Sequence, residues 1–92
     1  MHRHPQPRQP QVKVNVLFFS VLKDLTGTAE TPWPIQPGTT LNHLLEELYQ
    51  HWPALKEWDQ SLLLAINQEY SPRETLLPNH AEIAIMPPVQ GG

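Results

Sequence analysis

Cysteine is absent from the 92 residues. Its absence excludes a disulfide framework and a thiolate nucleophile, so any sulfur chemistry here must use sulfur supplied from outside. Cationic residues are few, six Lys and Arg against nine Asp and Glu. Two of those six, Arg3 and Arg8, fall in the first ten residues, so the body is more acidic than the total. Such a surface argues against nucleic acid or an anionic membrane, and for a partner that presents positive charge. Long apolar runs are missing too. None approaches a membrane span, and the opening MHRHPQPRQPQ has no hydrophobic stretch to serve as a signal peptide. The cytosol is the expected compartment, and the length suits one small domain with a modest core.

Proline is plentiful, and its placement divides the chain. Residues 1–11 carry Pro5, Pro7 and Pro10 among Gln and Arg, a composition too polar to order itself, and are expected as a disordered tail. His2 and His4 could begin a metal site, but no further ligand follows at useful spacing, and a solvated tail is the simpler reading. From Val12 the pattern alternates. Val12, Val14, Val16 and Phe18 share one face, while Lys13, Asn15, Leu17 and Phe19 share the other, which begins polar and turns apolar. SVLKDLTG predicts a short helix that Gly27 closes in a left-handed cap. TAETPWPIQPG is extended, and Pro32 and Pro34 place it at a sheet edge because they cannot donate to a ladder. Pro37-Gly38 turns the chain.

Leu41, Leu44, Leu45, Leu48 and Trp52 fall on one helical stripe, with Thr39 or Thr40 as cap and Pro53 as stop. A loop containing Trp58 should follow. SLLLAINQEY then reads as a strand entering a turn, and AEIAIM as a last strand with Ile83 and Ile85 inward and Glu82, Ala84 and Met86 outward. Strand pairs flanking one amphipathic helix predict an α+β fold, a mixed sheet wrapped around one main helix in the β-grasp arrangement, over residues 12–86. In that topology the first and last strands lie parallel and adjacent at the centre. Phe19 and Met86 then meet on the uncovered face, either as a docking surface or beneath a covering loop.

No catalytic constellation is present. The serines lack a nucleophile-elbow context, and no glycine-rich phosphate cradle occurs. His43 and His51 stand eight apart on the helix, too far to share a metal, and Glu46 and Glu47 are adjacent and diverge. The domain alone is therefore not expected to be an enzyme. The remaining segment, 87–92, is PPVQGG. Pro87-Pro88 hold an extended exit path, Val89 is the last side chain that could anchor, and Gly91-Gly92 give a thin thread able to present a terminal carboxylate inside a narrow channel. A frayed end is the alternative.

VNVLFFSVLKDLTG at the front, LLLAINQEY in the middle and EIAIMPPVQGG at the end resemble the small subunits of molybdopterin synthase, a ubiquitin-like family of sulfur carriers. The likeness runs from Val12 to Gly92. It implies that an E1-like adenylyltransferase activates Gly92 with ATP and Mg, none of which this chain binds as a cofactor itself. A sulfur donor would then leave a thiocarboxylate on Gly92, with Gly91 threading beside it. It further implies that the large subunit uses that sulfur to build the dithiolene of molybdopterin from cyclic pyranopterin monophosphate, in a heterotetramer. By the same resemblance Phe19, Tyr70 and Met86 are partner-binding, together with Pro87, Pro88 and Val89. Relatives often carry Phe where Met86 stands. Relatives also carry a Gly-Asp turn before the last strand, and Asn79 is expected to supply its positive φ here. Other readings are a carrier of another pathway such as thiamine, a modifier attached to lysines, or a β-grasp binding module without covalent role.

Overall fold

The computed structural model describes residues 12–88, so the expected tail over 1–11 lies outside the described residues. Strand β1 (Val12–Phe18) buries Val14, Val16 and Phe18 and leaves Lys13 exposed, as its alternation requires. The chain then turns into helix α1 (Val21–Thr26). Gly27 ends that helix at φ 77°, its N–H donating to the Lys23 carbonyl at 2.9 Å. Strand β2 (Glu30–Ile35) pairs antiparallel with β1 and forms a sheet edge, where Pro32 and Pro34 lie opposite Asn15 and Lys13. Helix α2 (Leu41–His51) begins at Thr40, whose hydroxyl oxygen accepts from the His43 N–H at 3.2 Å. Leu41, Leu44, Leu45 and Leu48 are buried, and Trp52 packs edge-on to Phe18 with ring centroids 5.3 Å apart.

The stretch expected as a loop around Trp58 is instead a 3-10 helix, Pro53–Ser61. Proline stops α2, and its fixed φ suits the first turn of the next helix. Leu55 is buried and Trp58 packs partly against the core. Their spacing of three matches the 3-10 repeat and falls outside the α-helical stripe sought in the sequence. Strand β3 (Leu63–Ile66) continues into a two-residue strand β4 (Glu69–Tyr70), which the sequence reading left as turn. Asn67 and Gln68 connect them with φ of 51° and 72°, the paired left-handed backbone of a tight hairpin turn.

The final strand, β5 (Glu82–Met86), buries Ile83 and Ile85 as expected. The positive φ before it falls on His80, at 65°, and not on Asn79. Both residues are tied to one point at the start of β1. Asn79 Oδ1 accepts from the Lys13 N–H at 3.2 Å, and the His80 N–H donates to the Lys13 carbonyl at 2.7 Å. The reversal is therefore made one residue later than the Asn preference suggests.

The sheet order is β2-β1-β5-β3-β4, with β1 and β5 parallel at the centre and every other pair antiparallel. Helix α2 covers the inner face with its leucines, and the result is the β-grasp fold. Burying each of those side chains stabilises the fold by on the order of 2 kcal/mol, so the stripe and the inner sheet face together form the main driving force.

Ser20, between β1 and α1, has φ 55° and ψ −131° and makes no side-chain cap hydrogen bond. That region favours glycine, and a serine there costs about 1 kcal/mol or more. Ser20→Gly is expected to raise the melting temperature by roughly 4–8 °C for a domain of this size. Scanning calorimetry checks it, and an unchanged or lower value would mean that the serine offsets its own strain.

Candidate functional site

The outer sheet face follows from register. Phe18 pairs with Ile85 in the parallel ladder, so Phe19 and Met86 come next to one another, and the Phe19 N–H donates to the Ile85 carbonyl at 3.2 Å. Met86 in turn pairs with Leu63 across the antiparallel ladder. This gives a first apolar row of Phe19, Met86 and Leu63. A second row runs beside it through Leu17, Ala84, Ala65 and Tyr70, each paired with the next. At about 4.8 Å between strands, that row is roughly 14 Å wide. Phe19 is 43% exposed and Tyr70 73%, while Met86, Leu63 and Leu17 are half-buried and the two alanines form a buried floor.

The next row down is polar. Asn15 pairs with Glu82, and its amide donates to Glu30 Oε2 at 2.9 Å. The face thus grades from carboxylates and an amide to an aromatic, apolar end, as the change along β1 suggested. Because β5 runs parallel to β1, the chain leaves the sheet at that apolar end. Pro87 and Pro88 follow Met86 directly and are half-buried, so the base of the tail lies against the domain. Val89, Gly91 and Gly92 lie outside the described residues.

Sequence reasoning placed Phe19 and Met86 together, and the register does so. Tyr70, singled out by resemblance alone, lies on the same outer face at its β4 end. Leu63 was missed. Three consecutive leucines, Leu62 to Leu64, show no alternation, and only the pairing with Met86 reveals which of them faces outward.

The described residues contain no group of three or more His, Asp or Glu placed to hold a metal, and none of their helices is long and apolar enough to cross a membrane. A polar cluster lies elsewhere, in a shallow cleft lined by Asn42, Glu46, Tyr49, Lys56, Asp59 and Arg73. The Tyr49 hydroxyl and Arg73 both donate to Asp59 Oδ1, the arginine at 2.8 Å. These bonds, the tyrosine's first, hold the Asp59 carboxyl below its ordinary value. Burial and then the Asp59 bond push the Tyr49 phenol well above its own. Three elements are fastened there: α2, the 3-10 helix and the segment after β4.

Comparison with known proteins gives this geometry a context. The model of the ThiS family matches residues 16–92. A molybdopterin synthase sulfur carrier subunit of Mycobacterium tuberculosis is 36% identical over 84 residues, covering 88% of this chain and 99% of the relative. Among solved structures, a Pyrococcus furiosus protein provisionally described as molybdopterin converting factor subunit 1 superposes with TM-score 0.78 at 26% identity, over 85% of this chain and 99% of that one. A subunit from the complex of subunits 1 and 2 of the Helicobacter pylori molybdopterin-converting factor gives TM-score 0.59 at 30% identity, over 87% and 99%.

Proposed function

The chain belongs to the ThiS family, and on that premise we propose that it is the sulfur-carrying small subunit of a molybdopterin synthase, with Gly92 bearing the sulfur as a C-terminal thiocarboxylate. The observation that carries this reading is the shared location of two features. The apolar outer face and the exit of the Pro87-Pro88 tail lie at the same end of the sheet. A large subunit docked on Phe19, Met86, Leu63 and Tyr70 therefore receives the tail directly. The four residues beyond Pro88 reach about 14 Å at full extension, so the acceptor site must lie within that distance of the docking edge.

Magnitudes support a face over a single anchor. Ordering four tail residues costs about 1–2 kcal/mol each, or roughly 4–8 kcal/mol in all. At about 25 cal/mol per Å² this is offset by roughly 160–320 Å² of apolar contact. A partly covered Phe19 cannot provide that alone. The joined rows can.

The chemistry needs activation from outside. A carboxylate is a poor electrophile because oxide would have to leave. An E1-like partner would let the Gly92 carboxylate attack the α-phosphorus of ATP, with Mg, releasing pyrophosphate and leaving an acyl adenylate. The terminal sulfur of a donor persulfide would then attack the acyl carbon as AMP departs. A thiol would next cleave the sulfur–sulfur bond, keeping the donor's own sulfur in a disulfide and freeing the thiocarboxylate. Inside the large subunit that sulfur would bond to a carbon of cyclic pyranopterin monophosphate, and water would then hydrolyse the resulting thioester, leaving the sulfur on the substrate and returning the Gly92 carboxylate. Two carriers used in turn would complete one dithiolene.

Intact mass of the untagged chain after incubation with an activating enzyme, ATP and a sulfur donor tests this. The expected result is replacement of one oxygen by sulfur, located to Gly92 by fragmentation. No change, with the activating enzyme proven on another carrier, would overturn the carrier chemistry and favour a binding module.

A further inference from the structure

The cleft cluster has no part in the carrier chemistry, yet it is joined to the docking face through a short piece of backbone. Strand β4 has only two residues, paired through Ala65 with Tyr70 and Ile66 with Glu69. Beyond it the Ser71 N–H donates to the Leu64 carbonyl at 3.2 Å, and the chain then leaves the sheet to cross the start of α2. There the Leu41 and Asn42 N–H groups, which have no partner within their own helix, donate to the Thr75 and Arg73 carbonyls, each at 2.9 Å. The Arg73 side chain is held as well, one guanidinium nitrogen on Asp59 Oδ1 and another on the Asp59 carbonyl. Tyr49 fixes the same carboxylate from α2.

Arg73 is thus anchored by its backbone and by its side chain, three residues beyond Tyr70. About 10 Å of extended chain separates the two at most, so slack introduced at the arginine is slack at the tyrosine. The side chains of the ion pair are 30% and 36% exposed, and pairs so exposed contribute little to global stability. Its effect lies in where it holds the chain.

We propose that the Tyr49–Asp59–Arg73 clasp is a positioning device for Tyr70, holding the β4 arm so that the tyrosine ring meets a docked large subunit. The inference rests on the docking reading above. Arg73 is a positioning residue, acting through Tyr70 and touching no reacting atom.

A double-mutant cycle on affinity for the large subunit, measured by titration calorimetry with the full chain, tests it. Arg73→Met is expected to weaken binding about tenfold when Tyr70 is present and less than about twofold in the Tyr70→Ala background. A purely structural role predicts equal losses in both backgrounds, and that result, or no loss in either, would overturn the proposal. Should Arg73→Met not fold, Tyr49→Phe removes one hydroxyl and keeps the ion pair. In the same cycle it is expected to lose about threefold, again only with Tyr70 present. Failure of the unaltered chain to bind any large subunit would overturn the docking reading itself, which separates the two failures.

Discussion

One alanine added after Gly92 is expected to abolish sulfur transfer while leaving the fold and the docking affinity unchanged. On the proposed route activation needs a free carboxylate at a fixed depth in the activating enzyme, and one extra residue would move that group by about 3.5 Å. Displacement of a reacting group by 1 Å can cost about a hundredfold in rate. A shift more than three times larger, with a methyl group added to a glycine thread, should leave no measurable thiocarboxylate. The added residue follows Gly92 and alters no described residue, so melting temperature and affinity for the large subunit serve as controls. The measurement is paired: mass of the carrier after activation, and molybdopterin formed by the reconstituted synthase. Full activity from the extended protein would remove Gly92 from the chemistry, whatever the family.

The parts of this molecule that were legible in the sequence are those with a period. Alternation from Val12 to Phe19 marked β1 and sorted its faces, and the leucines of α2 marked the helix and its buried side. Pro32 and Pro34 placed β2 at an edge for a reason that needs no structure, the lack of an N–H. From topology alone Phe19 and Met86 could be set side by side, because parallel central strands bring their C-terminal ends together. Illegible parts lacked a period or depended on contacts distant in sequence. Leu63 hides in a run of leucines, and β4 is too short to alternate. Tyr49, Asp59 and Arg73 are separated by ten and fourteen residues, so no local pattern announces the clasp. The turn at His80 is set by two bonds to Lys13 across the sheet, a constraint that overrides the preference of Asn79.

Replacing Phe19 by lysine is expected to weaken the complex with the large subunit about a hundredfold or more. The ring sits at the edge of β1 with 43% of its surface exposed, beside Met86 at the point where the tail departs. Its hydrogen bonds to the fold are both backbone bonds, its N–H donating to the Ile85 carbonyl and its carbonyl accepting from the Leu22 N–H, which any side chain permits, so stability should change little. In the proposed complex the same position would be covered. Buried aromatic anchors at an interface can carry about 2 kcal/mol or more, and an ammonium left without a partner in an apolar contact adds its own desolvation cost. The chain carries nine acidic residues against six basic ones. A complementary partner is therefore cationic, and a new lysine adds repulsion to the lost contact. Phe19→Leu should recover most of the affinity, because it restores apolar volume without the ring, and Tyr70→Ala should cost less than Phe19→Lys because it lies at the β4 end of the face, away from the tail, and introduces no charge. Titration calorimetry distinguishes the outcomes. Equal affinity for wild type and Phe19→Lys would move the docking surface off this face and leave the tail alone to carry recognition.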